Sequence, residues 1–549
     1  MSTAAGAGRI ASVSLLASLL ACASSMGGQT PNPPPHLTIT TTGGMPGLPV
    51  IMGVEPATNG VTVTWDGPSG YYELFQESAP GSREWKPVDG LKLTRMATVS
   101  TNHASAFFRV LGPSPSYAGS HTCEECHGQV HHWQAGTRHA QAFQTLVRIG
   151  EQHNPTCLAC HTVGYGLPTG FVSTAKTPQL EGVQCENCHG PAARHAANPE
   201  DPVTRPQIEM ASEVCGGCHT GARQPQYDEW KVSPHNVVSE NLNPANRATS
   251  CGRCHSGTSR LHQLLGLPLA PADANVPITC AVCHDPHQVG TVTNSLPQTV
   301  TNEFVSPRSV VLPIRYAQLR NPLASTNDYS ISTSGSLLAQ YNPKINLCAQ
   351  CHNRRGATWT DTTRAPHHSP QYNMLLGTVG VLPSGVAPYA PAYHALLPNQ
   401  CVSCHMQSTP FMNGQPAVSG HTFQVQSFAL CQNCHPLPQA LVQFTAQAIS
   451  TQVQQVKASL DTWATTMAPE ALRAKYGTLA WEYTVPGALS PGGPGPNSGE
   501  QAMIPDAIKK ARFDLYIVLY DGSDGVHNGP FAIKLLDAAQ TFIQQAMTP

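Results

Sequence analysis

Nine copies of Cys-x-x-Cys-His use 18 of the 19 cysteines, and no other feature constrains the fold of this chain as strongly. The copies are Cys123, Cys126 and His127; Cys157, Cys160 and His161; Cys185, Cys188 and His189; Cys215, Cys218 and His219; Cys251, Cys254 and His255; Cys280, Cys283 and His284; Cys348, Cys351 and His352; Cys401, Cys404 and His405; and Cys431, Cys434 and His435. Two cysteines three apart lie on one side of a helical turn. There both sulfurs can form thioethers with the vinyl groups of one haem, and the next residue, His, reaches the iron. A zinc ribbon pairs such dicysteines without needing His after the second, and a redox dithiol needs no His at all. The expectation is nine covalently attached haems c with nine proximal histidine ligands.

That expectation bounds the architecture. Length alone suggests ~3–4 domains, yet only 11% of residues are charged, and 49 Pro and 46 Gly make the chain loop-rich. The motifs fall within 123–435, roughly 35 residues for each, too few to build a separate apolar core around every site. The macrocycles are therefore expected to be the core, wrapped by short helical turns and Pro/Gly loops. The predicted fold is mainly α and irregular with stacked haems, a small N-terminal β domain and C-terminal helices.

The nineteenth cysteine bears on location. Residues 1–21 carry one positive charge at Arg9, an apolar run at 10–20 and small residues before Cys22. This reads as a secretory signal, too short to span a bilayer. Leu19-Leu20-Ala21-Cys22 resembles a bacterial lipobox, which would make Cys22 a lipid-bearing N-terminus; the alternative is an ordinary signal peptide with an incidental Cys. Ala23 is not the Asp that inner-membrane lipoproteins often carry, so an outer-membrane lipoprotein facing the periplasm or the cell surface is expected.

Residues 22–50, with Pro33-Pro34-Pro35, read as a flexible linker. In 51–112 the pattern turns to period two, Val61, Val63 and Trp65 alternating with Thr62 and Thr64, with further strand-like stretches at 71–76, 92–100 and 106–110. A β-sandwich-like spacer or docking domain is predicted. The haem region would occupy 113–436. From 437 to 549 the period becomes 3.6, with Leu441, Phe444, Ile449, Val453, Val456 and Leu460 on one face and further helices at 504–520 and 531–547.

Residues 117–195 resemble the tetrahaem cytochrome c-554 family. The resemblance rests on Tyr117-Ala118-Gly119, Trp133 with Thr137 and His139-Ala140, His161-Thr162-Val163-Gly164-Tyr165-Gly166, Gly170-Phe171, Gly182-Val183-Gln184-Cys185-Glu186, His189-Gly190-Pro191 and His195. Pro366-His367-His368-Ser369-Pro370-Gln371, Gly420-His421-Thr422-Phe423 and Asp521-Gly522-Ser523-Asp524-Gly525-Val526-His527-Asn528 look like segments of larger multihaem cytochromes related to hydroxylamine oxidoreductase and pentahaem nitrite reductase.

A haem with His on both faces can only pass electrons, whereas an open face permits chemistry. Of 25 histidines, sixteen remain after the nine proximal ones. The distal metal ligands expected are His139, His195, His235, His262, His287, one of His367 and His368 (His367 in the working assignment), His394, His421 and His527. His287, three residues after His284, cannot reach the opposite face of the same haem and should serve a neighbour. His103, His121, His131, His132 and His153 are spares. Arg138, Arg194, Arg354 and Arg355 are expected near propionates. With propionates and iron counted, net charge is about −12 oxidised and about −21 reduced, so potentials should spread over a broad range.

The leading function is electron transfer by hopping along bis-histidine haems, with no catalytic residues. The expected partners are redox proteins, whether other cytochromes or a membrane quinol oxidase or dehydrogenase, together with the membrane through Cys22; nucleic acid is not expected. The alternative is an oxidoreductase acting on nitrite or hydroxylamine at one open haem. Against it, the chain has no Cys-x-x-Cys-Lys motif and no match to the crosslinked tyrosine segment of hydroxylamine oxidoreductase. Assembly into a filament or with an outer-membrane porin is compatible with the β domain and the anchor.

Overall fold

The computed structural model describes residues 50–548 apart from 58–59, 67–71, 78–85, 93–95, 101–106, 112–116, 168, 198, 201–204, 207–209, 239–241, 243–248, 269–275, 289–301, 306–310, 315–317, 333–334 and 388–390. The signal, Cys22, the linker before residue 50 and His103 lie outside the described residues. The described chain forms two compact units, one running to residue 209 and including His287 and Gln288, the other holding 210–286 and the chain from 311 onward.

The first unit opens with two three-stranded antiparallel sheets. One has the order β1 (Val50–Ala57), β2 (Gly60–Asp66), β5 (Met96–Val99), and the other β4 (Lys86–Lys92), β3 (Tyr72–Glu77), β6 (Phe107–Leu111). The period-two residues Val63 and Trp65 face inward with Val54, Tyr72, Leu74, Val99 and Phe108, a core drawn from both sheets. The stretch 92–100, expected as one strand, is divided: β4 ends at Lys92 and β5 starts at Met96, and the two belong to different sheets. A sandwich requires the chain to cross between layers there.

The rest of this unit is a set of short helices around a small core of Phe143, Leu146, Leu158, Val163, Phe171 and Leu180. Two glycines of the cytochrome-like stretch have steric causes. Gly164 (φ 63°) lies under Tyr117, whose ring would stand 2.2 Å from a Cβ, and at Gly182 (φ 84°) a Cβ would meet the Ala140 carbonyl at 2.4 Å. Buried Glu186, inside the third motif, accepts N–H bonds from Ala118 (3.0 Å), Gly119 (2.8 Å) and Ala192 (2.7 Å). Gln184 accepts from the Ser120 N–H at 2.7 Å. These bonds pin the chain before the first motif to the third.

In the second unit the C-terminal helices Pro438–Thr466, Glu470–Tyr476, Asp506–Asp521 and Gly529–Met547 share one apolar core that includes Val456, Leu460, Trp463, Leu472, Tyr516, Leu535 and Phe542. Ile449, Val453, Val456 and Leu460 are buried as the periodicity predicts, but Leu441 and Phe444 are exposed. Beyond Pro438 the next buried residue of the long helix is Ile449, which lies against Gly525, where a Cβ would stand 2.8 Å from it. Among the described residues no helix is long and apolar enough to cross a membrane.

Candidate haem sites

All nine motifs sit on helical turns. Some end at the histidine, as in Pro155–His161, Cys185–His189, Gly252–His255 and Cys401–His405. Others are single 3-10 turns, Cys348–Gln350 and Cys431–Asn433. Helix Ser120–Ala135 carries the first motif and breaks at His127 (φ −112°, ψ 35°), so there too the regular turn stops at the histidine. Polar side chains start several of these turns. Asn154 accepts the Thr156 N–H at 3.0 Å, and Asn346 accepts the Cys348 N–H at 2.8 Å while donating to Gln400 at 3.0 Å. Gln400, itself at φ 38°, is held by bonds to the carbonyls of Ser325 and Ala395, both 2.7 Å, which fixes the start of the eighth motif.

Among the described residues, the motif histidines His189, His255, His284, His352, His405 and His435 each face a second histidine at nearly constant separation. Ring centres lie 6.0 Å apart for His189 and His287 in the first unit. In the second unit they are 5.8 Å apart for His255 and His367, 6.4 Å for His284 and His421, and 6.3 Å for His352 and His235. His405 and His527 are 6.3 Å apart, and His435 and His394 6.2 Å. A metal–imidazole bond of about 2.0 Å, with each nitrogen about 1.1 Å from its ring centre, puts two imidazoles on opposite faces of one iron about 6 Å apart. The residues fit the group: each pair leaves room for one metal and the plane of its macrocycle. His367 and His368, at 4.3 Å, are in direct stacking contact and leave no such room.

The outer hydrogen bonds agree with that reading. Nδ1 of His394 meets the Val526 carbonyl at 2.9 Å, Nδ1 of His405 the Phe423 carbonyl at 3.1 Å, and Nδ1 of His161 the Ala142 carbonyl at 2.8 Å. His367 meets Ser369 Oγ at 3.1 Å and His421 meets Ser419 Oγ at 2.9 Å; those hydroxyls donate onward to the Asn353 carbonyl (2.8 Å) and to Glu229 (2.7 Å), so they accept from the rings. His527 Nδ1 meets Asp521 Oδ1 at 2.8 Å. Every one of these contacts places the proton on Nδ1 and leaves the Nε2 lone pair for a metal. Burial, helped by the like charge of His352, lowers His235 to about 4. Burial with nearby Arg355 lowers His367 to about 3, and burial with His284 lowers His421 to about 4. Such rings stay neutral, the form that ligates.

The remaining predicted ligands are placed as follows. The His139 carbonyl accepts the N–H groups of Ala142 (3.0 Å) and Val183 (2.8 Å). His195, on the short helix Ala193–Ala197, has a buried Nδ1 without a hydrogen-bond partner. His262 bonds the Pro268 carbonyl through Nδ1 at 2.9 Å. Of the spares, His121 and His131 lie 2.9 Å and 3.7 Å from Glu124. Arg194 stands 3.9 Å from Glu73 and Arg354 3.9 Å from Asp328.

Cysteines of different motifs also converge. Cys123 and Cys185 are near enough in the first unit to shift each other's thiol, and in the second so are Cys215 and Cys280, Cys254 and Cys351, and Cys348 and Cys401. Sequence reasoning gave no role to the outer residues Glu229, Ser369, Ser419 and Asp521; Ser369, Ser419 and Asp521 lie two to six residues from the His they touch, whereas Glu229 is 192 residues from His421.

Two family models match the chain, one described as cytochrome c554 and c-prime over residues 122–190 and one as cytochrome c7 and related cytochrome c over 170–285. With the motif geometry, these matches support the class of multihaem c-type cytochromes, in which haem c is bound covalently. The chain is similar to cytochrome c-554 of Nitrosomonas europaea, 30% identical over 97 residues that cover 15% of this chain and 41% of that protein. It is also similar to multiheme cytochrome MtrA of Shewanella baltica, 27% identical over 164 residues that cover 26% of this chain and 47% of that protein. The chain thus spans less than half the length of either curated relative. Among solved structures, outer cell wall cytochrome OcwA aligns with a TM-score of 0.47 at 20% identity, over 78% of this chain and 100% of that one.

Proposed function

We propose that the protein is a nonahaem electron carrier of the cell envelope, its irons closed by histidine on both faces. The observation that carries this reading is the recurrence of histidine pairs 5.8 to 6.4 Å apart, each with one member from a Cys-x-x-Cys-His motif. Bound haem supplies a one-electron Fe(III)/Fe(II) couple, and closing both axial positions restricts it to that couple. The protein's own part is to fix ligand geometry through the Nδ1 bonds, to exclude exogenous ligands, and to hold thioether edges close for hopping. With each sulfur taken as the thioether edge of its haem, the neighbouring cysteines support an order in which the fifth, seventh and eighth sites follow one another, with the fourth beside the sixth. For the motifs ending in His127, His161 and His219, the proposed partners are His139, His195 and His262. Export and a lipid on Cys22 complete the proposal, with redox proteins as partners.

Electron paramagnetic resonance of the oxidised protein, with and without nitrite or hydroxylamine, tests it. Low-spin ferric signals indifferent to both compounds are expected. A high-spin centre that shifts on addition would replace the carrier with an oxidoreductase of small nitrogen compounds. Intact mass tests the number of haems.

A further inference from the structure

Among the paired histidines whose Nδ1 contact is defined, the partner of His527 differs in kind. His394 and His405 bond neutral carbonyls, and His367 and His421 bond serine hydroxyls, whereas His527 bonds the Asp521 carboxylate directly at 2.8 Å. The carboxylate is almost entirely shielded from solvent, its side chain 1% exposed. Its second oxygen accepts the Ser523 hydroxyl proton, and Ser523 Oγ in turn accepts the His527 N–H at 3.1 Å. Asp521 ends the helix Asp506–Asp521, where the helix dipole disfavours an anion, so its position is not explained by helix stability. The turn that returns the chain to His527 is held by left-handed residues Gly522 (φ 67°), Asp524 (φ 50°) and Gly525 (φ 86°). Among the described residues no Lys or Arg forms an ion pair with Asp521.

We propose that Asp521 is a positioning residue that, through His527, lowers the reduction potential of the iron held by His405 and His527 below those of neighbouring sites. The inference rests on His527 being an axial ligand. A carboxylate that accepts the ring proton draws it from Nδ1 and makes the imidazole a more negative, more basic donor. That donor favours Fe(III) over Fe(II), and in a buried site its charge is little screened. One electron and no atom is exchanged at the iron. The eighth site then gives up an electron readily.

Redox titration of the holoprotein, followed optically and by paramagnetic resonance, tests this with four variants. Asp521→Asn keeps an oxygen acceptor but removes the charge, and is expected to move one one-electron wave to higher potential and leave the rest in place. Asp521→Glu should return that wave toward its original position. Ser523→Ala, which removes a donor competing for the carboxylate, should move the same wave the other way; general disturbance of the loop would not give opposite signs. His527→Gln should turn one low-spin centre high-spin. If it does so while the two Asp521 variants and Ser523→Ala leave every wave unmoved, the tuning role is overturned and ligation stands. If His527→Gln leaves all centres low-spin, the ligation reading falls and takes the inference with it.

Discussion

Within the second unit, the C-terminal helices and the motif-bearing segments solve the burial problem in different ways. In the helices, residues bury residues: Leu460, Leu472 and Leu535 are 0% exposed and Trp463 1%, on helices up to 29 residues long. In the motif segments the helical turns are three to five residues, and their cysteines are mostly half-exposed. Imidazoles face one another there across spaces sized for a metal and its ring. The motif segments do hold a smaller apolar cluster of their own, including Ile345, Ala349, Tyr372 and Leu376, but their cysteines and facing imidazoles stay outside it.

Four experiments would break or sharpen the contrast. The largest effect is expected from Cys348→Ala with Cys351→Ala, because the seventh motif has cysteines neighbouring those of both the fifth and the eighth. Little holoprotein should accumulate, whereas Cys123→Ala with Cys126→Ala should yield protein lacking a single haem; intact mass and haem content distinguish the two. Next, Trp463→Ala should cost about 3–5 kcal/mol in denaturant unfolding, as large-to-small core substitutions do, while the visible spectrum of the folded protein stays unchanged. A third test separates neighbours. His367→Gln should convert one low-spin iron to high spin, and His368→Gln should convert none, since only His367 faces His255 at 5.8 Å. The smallest effect belongs to Asn528, which caps Gly529–Met547 by accepting the Phe531 N–H and donates to the Met374 carbonyl at 3.2 Å. Asn528→Ala should cost about 1 kcal/mol in the same unfolding measurement.

Much of the scaffold was legible in the residues. The alternation at Val61, Val63 and Trp65 marks a half-buried strand because side chains change face at every step, and Ile449, Val453, Val456 and Leu460 mark a helix because they share one face. The pattern misled where burial depends on what lies opposite. Leu441 and Phe444 continue the helical period but are exposed, and β4, reading Lys-Pro-Val-Asp-Gly-Leu-Lys, has little alternation and is ordered by its pairing with β3. Among the site residues, Asp521 and Glu229 carried no periodic or spacing signal. Glu229 reaches Ser419 and His421 from a helix far earlier in the chain.

Attachment chemistry is local: two sulfurs and an imidazole within one turn are what a covalent haem site needs, so nine such sites are expected from spacing alone. Which histidine opposes which, and what each Nδ1 touches, depends on segments tens to hundreds of residues apart meeting in space. His421 opposite His284, His287 opposite His189 and His527 opposite His405 depend on packing and on the polar bonds of Glu229, Glu186 and Gln400. Ligand identity could be narrowed from composition. Ligand pairing could not, because a six-ångström gap between two rings is a property of the folded backbone and leaves no mark on the order of residues.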